Sequence, residues 1–147
     1  MKDRKWFQQH LPHKGEMCLL DQIISWDTDQ IHCTATSHKN PANPLIFRGK
    51  LGASNAIEYA AQAMAAHGFL IGKDTNSSRQ GYIASVRSVE FRTDSLDDLG
   101  SVLDIYATRL MGDDDNVIYE FNVVDRGESM VTGRATVILD RNKAIKL

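Results

Sequence analysis

The sequence predicts an α+β fold: two strands, one long apolar helix, then four long antiparallel strands, in that order along 147 residues. Three observations lead there. Apolar residues alternate with polar ones through much of the C-terminal half, the period of a strand. From Ala53 to Ala66 small and apolar residues run together for longer than a strand does. Short polar turns, not helices, join the last strands, and strands joined by hairpins run antiparallel. A single helix has one sheet to bury itself against, so a six-stranded antiparallel sheet wrapped around one long central helix is the economical arrangement.

The elements follow in order. Leu19 to Trp26 and Ile31 to Thr36 read as strands joined by the polar turn Asp27-Thr28-Asp29-Gln30. An irregular loop, His38 to Leu51, holds two of the three prolines and ends near Gly49 and Gly52. The alanine-rich helix follows and stops about Gly68 to Gly72. After the polar connection Lys73 to Gln80, Ile83, Ser85, Arg87, Val89 and Phe91 alternate with Ala84, Val86, Ser88, Glu90 and Arg92. Leu103, Ile105 and Ala107 mark one face of the next strand. Val117, Tyr119, Phe121 and Val123 alternate after the turn at Gly112 to Asn116. Val131, Ala135, Val137 and Leu139 alternate after Arg126-Gly127-Glu128. No linker or repeat interrupts the chain, so residues 1–147 are expected to form one domain, long enough to bury about 70% of the unfolded surface.

Composition narrows the function classes. Seventeen Lys and Arg stand against 19 Asp and Glu, which gives no general reason to expect a nucleic-acid partner. Cys18 and Cys33 have no metal-ligand spacing and read as reduced core thiols of a cytoplasmic protein. The charged start, Met1 to Trp6, lacks the apolar stretch of a signal peptide. No segment approaches the ~20 apolar residues needed to span a bilayer. The Asn76-Ser77-Ser78 sequon carries no weight outside a secretory pathway.

Chemistry concentrates in the helix. Glu58 and Gln62 lie one turn apart, and at about 100° per residue they point the same way. Their neighbours on that face, Ala61 and Ala65, are alanine, so no solvated charged stripe is present. A carboxylate in such surroundings is costly unless paired, hydrogen-bonded or working. Glu58 is therefore the first candidate catalytic residue.

The opening Leu11-Pro12-His13-Lys14-Gly15-Glu16-Met17-Cys18-Leu19-Leu20-Asp21 resembles that of the FabA/FabZ-like 3-hydroxyacyl-[acyl-carrier-protein] dehydratases. Ile57-Glu58-Tyr59-Ala60-Ala61-Gln62-Ala63 resembles their helix motif, and Val89-Glu90-Phe91-Arg92 with Leu99-Gly100 resembles their later strand and turn. The pattern is most similar to the dehydratase-like subunits of aryl-polyene biosynthesis clusters. The resemblance implies a hotdog fold, normally dimeric, with active sites at the subunit interface. There a histidine removes a proton next to the thioester, a carboxylic acid from the neighbouring chain helps the β-hydroxyl leave as water, and backbone N–H groups at the helix start polarise the carbonyl. Glu58 occupies the carboxylate position and Gln62 one that orients it. Gly52 and Ala53 occupy the carbonyl-polarising backbone, and Asn43 and Phe47 the substrate-facing loop.

The loop departs from the family. Its histidine precedes the carboxylate by fourteen positions, and the same count from Glu58 reaches Pro44, with Asn43 beside it. Asparagine is no general base. His38, in the same loop, is the best substitute. His13 belongs to the opening motif and reads as structural. His67 falls on the helix face opposite Glu58, His32 is expected to be exposed, and His10 carries no signal.

Three readings stay open. A dehydratase subunit of fatty-acid or polyene-type biosynthesis would donate Glu58 and take its histidine from a partner hotdog subunit. A hotdog thioesterase would use Glu58 and helix N-terminal amides alone. A non-catalytic acyl-binding or scaffold subunit would only hydrogen-bond Glu58. The family likeness implies a substrate on the phosphopantetheine arm of an acyl carrier protein and a homodimer or heterodimer of hotdog subunits. It implies no metal and no further cofactor. Arg48, Lys50, Arg87 and Arg92 are the candidate docking charges for an acidic carrier.

Overall fold

A computed structural model describes residues 2–11, 15–72, 79–113 and 115–144. Nine elements follow one another: β1 (Lys2–Asp3), α1 (Arg4–His10), β2 (Gln22–Trp26), β3 (Gln30–Ala35), α2 (Ala56–Ile71), β4 (Arg79–Phe91), β5 (Leu103–Gly112), β6 (Asn116–Asp125) and β7 (Glu128–Ala144). The strands form one antiparallel sheet in the order β1-β2-β3-β5-β6-β7-β4, with α2 packed across it. The six expected strands are all present. The seventh is the two-residue β1, which pairs Lys2 with Ile23 and Asp3 with Gln22 at one edge.

Helix α1 has no counterpart among the sequence expectations, because seven residues are too few to show a helical period. Asp3 starts it by accepting hydrogen bonds from the N–H groups of Lys5 and Trp6. Phe7 is buried, and Trp6 meets Phe69 of α2 edge to face, the ring centres 5.7 Å apart. The first long strand starts at Gln22, not at Leu19. Leu19 and Leu20 are buried in an irregular segment whose Leu19 N–H bonds a helix side chain in place of a strand.

One face of the sheet packs on the helix. Ile31, Cys33 and Ala35 of β3, Leu103, Ile105 and Ala107 of β5, and Val117, Tyr119, Phe121 and Val123 of β6 are all buried. They meet Ala56, Tyr59, Ala60, Ala63, Met64, Ala66 and Leu70 of α2 in one core. The alanines let the helix lie close to the strands. A Cβ at Gly133 of β7 would stand 2.7 Å from Phe121 Cζ, so glycine there makes room for the ring.

β4 departs from strict alternation. Its half-buried residues are Ile83, Val86 and Val89, three apart, because register shifts interrupt its pairing with β7 between Ile83 and Ser85 and between Arg87 and Glu90. Ser88 adopts φ 55°, which turns the strand out of its pleat. β4 is also an edge strand, paired to β7 alone among the described residues. No helix among those residues is long and apolar enough to cross a membrane.

Candidate functional site

Glu58 lies in the first turn of α2 and is half-buried. Gln62, one turn on, is buried and has a larger task than orienting it. Its Oε1 accepts the Leu19 N–H at 2.9 Å and its Nε2 donates to the Met17 carbonyl at 2.7 Å. The second Nε2 hydrogen faces Glu58 Oε1 at 3.5 Å, the outer limit of a hydrogen bond. An amide belongs in this alanine helix because it satisfies backbone that no strand reaches.

The start of the helix corrects one expectation. A 3-10 turn, Ala53–Asn55, leads into α2, but the Ala53 N–H donates to the Asp94 carbonyl at 3.0 Å and Leu96 N–H to Leu51 at 2.8 Å. The backbone here is stitched to the segment before β5, and Ala53 N–H has no hydrogen left for a thioester carbonyl. Gly52 is half-buried beside it, paired with Ser95 in an isolated bridge.

Asn43 is a second correction. Expected to face substrate, it is buried with every polar atom engaged inside the fold. Nδ2 donates to the Ser37 carbonyl at 3.0 Å and to Tyr59 Oη at 3.2 Å, while Oδ1 accepts the Leu45 N–H at 2.9 Å. The protons follow from what each group can do. Ser37 Oγ–H donates to the Leu19 carbonyl at 2.7 Å, so Tyr59 O–H donates to Ser37 Oγ at 2.8 Å. Asn43, Tyr59 and Ser37 thus lock the loop onto α2, and burial pushes the Tyr59 hydroxyl pKa up. Neither Tyr59 nor Ser37 stood out in the sequence.

His38 follows Ser37 of that lock in a 3-10 turn, Ser37–Lys39, and only 1% of it is exposed. Its Nε2 is 2.6 Å from the Gly100 carbonyl. A carbonyl only accepts, so the proton is on Nε2 and Nδ1 carries a lone pair, enclosed and without a partner. Burial holds the pKa below that of a free histidine, with Lys39 adding to it, against the opposing pull of Gly100, Asp125 and Asp21. The imidazole is therefore neutral at neutral pH. It lines an open cleft of about 340 Å³ with Lys39, Asn40, Pro41, Ile46, Gly49 and Asp97.

Gly49 belongs to a two-residue turn in which Arg48 and Gly49 take φ 52° and 78°, closed by Phe47 and Lys50. Phe47 stands 71% exposed on this turn, with the Arg48 guanidinium 5.1 Å from its ring centre. Arg48 and Lys50, on either side of the cleft residue Gly49 in sequence, are exposed, Lys50 within 3.9 Å of Asp98. Arg87 on β4 and Arg92 just past it are exposed as well.

Three of the remaining histidines are tied into the fold. His67 is fully buried, its Nε2 donating to the Asp27 carbonyl at 2.8 Å and its Nδ1 accepting the Tyr119 hydroxyl at 2.7 Å. Burial lowers its pKa and pushes that of Tyr119 up to about 12. His32 is half-buried, not exposed as expected, because it pairs with Asp104 at 2.7 Å and stacks on Tyr106. His10 Nδ1 donates to the Trp6 carbonyl. His13 lies outside the described residues. Cys18 and Cys33 are buried and joined in no disulfide, and burial raises the Cys33 pKa to about 12. Among the described residues no cluster of His, Cys, Asp and Glu is arranged to hold a metal ion.

An antiparallel sheet wrapped on one long helix, with a carboxylate in that helix's first turn, defines a hotdog-fold protein. Residues 6–145 match the ApeP-like family model, described as ApeP dehydratase, and the chain belongs to that family. It is similar to a chain of the dehydratase heterocomplex ApeI:P from Xenorhabdus doucetiae, with 27% identity, TM-score 0.80, and coverage of 95% of this chain and 93% of that one. It also superposes on AziG of S. sahachiroi, with 16% identity and TM-score 0.61 over 82% and 90% of the two chains. A hypothetical thioesterase with coenzyme A from Streptococcus pneumoniae TIGR4 matches at 12% identity and TM-score 0.59 over 81% and 84%. These last two share the fold alone. No curated protein matches the chain by sequence.

Proposed function

We propose that this chain is a subunit of a 3-hydroxyacyl-[acyl-carrier-protein] dehydratase serving polyene-type biosynthesis, completed by a second hotdog subunit. The observation that carries the reading is Glu58, half-buried in the first turn of α2 in a chain of the ApeP-like dehydratase family. Each site takes its acid from one subunit and its base from the other. Glu58 faces a histidine of the partner, and His38, enclosed beside the cleft, is the base this chain offers to the second site. The base removes the proton from the carbon next to the thioester, and the protonated carboxyl gives its proton to the departing β-hydroxyl. The products are water and an enoyl thioester, and a proton passing back from base to acid resets the site. The step needs neither metal nor nucleotide, since the carrier's phosphopantetheine thioester supplies the acidity.

Three features support this assembly. The related Xenorhabdus chain belongs to a two-component dehydratase complex. Among the described residues β4 stands at an edge of the sheet, the position at which a second sheet can be added. His38 lines the open cleft of this chain, and its Nδ1 has no hydrogen-bond partner among the described residues. The exposed Arg48 and Lys50, either side of Gly49, suit an acidic carrier, with Arg87 and Arg92 as further docking charges on the β4 side.

Mass-spectrometric assay of a 3-hydroxyacyl-carrier thioester, with the chain alone and with a second hotdog subunit, tests the proposal. Water loss that needs both components supports it. Release of free acid by the chain alone would replace it with the thioesterase reading, and no product in either case would leave a scaffold.

A further inference from the structure

The carbonyl that fixes His38 is itself held in place. Gly100 lies in the loop before β5, and its N–H donates to Asp125 Oδ1 at 3.1 Å. A Cβ at Gly100 would stand 2.7 Å from that oxygen, so only glycine allows the carboxylate to come so close. Asp125 ends β6, and only 1% of its side chain is exposed. A buried carboxylate needs compensation, and Arg126 provides it. Residue 126 takes φ 49° at the first corner of the β6–β7 turn, and its guanidinium folds back on Asp125 Oδ2, at 3.1 Å from Nη2 and 3.3 Å from Nε. Arg126 remains largely exposed, so the pair is buried on the side of Gly100 and solvated on the other. The order of contacts is therefore Arg126, Asp125, Gly100, His38, joining a hairpin tip to a histidine far away in sequence.

We infer that Asp125 is a positioning residue for His38: by holding Gly100 it keeps the imidazole proton on Nε2 and leaves Nδ1 as the basic atom. This rests on the reading of His38 as a base. The two neutral tautomers of histidine are close in energy in water, so the one present is set by the acceptor that meets the ring. Without Asp125 the Gly100 peptide loses the tie that aims its carbonyl, and the proton is free to move to Nδ1, which removes the lone pair. The carboxylate also acts by charge. Lys39, Asp125 and Asp21 are the charged groups felt at His38, and Asp125 is one of the two that favour its protonated form. A histidine enclosed this fully has a weakened appetite for a proton, and the nearby carboxylate restores part of it.

Nitrogen-15 NMR of the histidine rings in the folded chain tests the inference without depending on activity. Wild type is expected to show His38 with the proton on Nε2. D125A is expected to give a mixture of tautomers and a lower titration midpoint. D125N keeps an acceptor for the Gly100 N–H but loses the charge, so it should keep the tautomer and lower the midpoint only. His67, held by Asp27 and Tyr119, should be unchanged in all three. If His38 has the same tautomer and midpoint in folded D125A as in wild type, the inference fails. Should D125A not fold, an unchanged midpoint in D125N overturns it equally. In the two-subunit complex carrying E58Q, where remaining turnover comes through His38, D125N should lower kcat roughly 10–100-fold with KM little changed. If H38Q costs no turnover while the NMR shifts occur as expected, the dehydratase role of His38 fails and the positioning by Asp125 stands.

Discussion

His38 and His67 are alike in almost every respect except one. Both are enclosed, both donate Nε2–H to a backbone carbonyl, and burial lowers the pKa of both. His67 receives the Tyr119 hydroxyl on Nδ1, whereas Nδ1 of His38 receives nothing. A fully satisfied buried histidine is a core tie whose removal costs stability. One left with a bare lone pair holds its reactive atom ready at some expense to the fold. Burial alone therefore does not distinguish the two histidines; the partner of Nδ1 does, and on the proposed reading that difference makes His38 the working one.

The largest effect expected is on turnover. In the assembled complex, E58Q together with H38Q should lower kcat by about 10²–10⁴, while the thermal midpoint of the chain changes little. Each single substitution should silence only the site to which that residue contributes. Full turnover in the double variant would remove both residues from the chemistry and erase the contrast with His67.

Gln62→Leu adds a third group to the comparison, one satisfied wholly by backbone. It strands the Leu19 N–H and the Met17 carbonyl, and the expected loss of stability is about 2–4 kcal/mol in urea unfolding. A loss near zero would mean that water reaches those groups. Tyr119→Phe brings His67 into the condition of His38, with an unpartnered Nδ1. About 1–3 kcal/mol of stability should be lost with turnover unaffected. Unchanged stability would show that a bare Nδ1 costs nothing here, and the argument for His38 would weaken with it.

The smallest effect is with pH. Both histidines have folded pKa values below the ordinary 6.5, so the unfolded chain binds protons first as pH falls. Their contribution is fully present above pH 6.5 and is lost as pH falls from there toward the folded values. Asp27 and Asp97, held below the usual carboxylate range by backbone N–H groups, titrate below that window. Melting temperatures at pH 7.5 and 5.5 should therefore differ, the lower pH giving the lower value. Replacing His67 by Gln should shrink the difference, and an unchanged difference would assign it to other groups.

Much of the frame was legible along the chain. Alternation in β5, β6 and β7 and the alanine run of α2 are local patterns, and the elements appear where those patterns lie. Glu58 stood out because a carboxylate among alanines has no local excuse. What misled were residues whose partners are distant. Asn43 read as a loop contact, yet its amide serves Ser37 and Tyr59. Ala53 read as a helix start with a free N–H, yet Asp94 occupies it.

The sequence by itself determined the order of strands and helix, the face of α2 that carries Glu58 and Gln62, and kinship with a dehydratase family, because periodicity and motif spacing are properties of neighbouring residues. Only the tertiary structure decided which polar atoms are already satisfied. Gln62 meets Leu19, 43 residues away, and His38 meets Gly100, 62 residues away. A hydrogen bond depends on direction and distance between groups that the fold alone brings together, and no spacing along the chain encodes which nitrogen of a buried histidine is left bare.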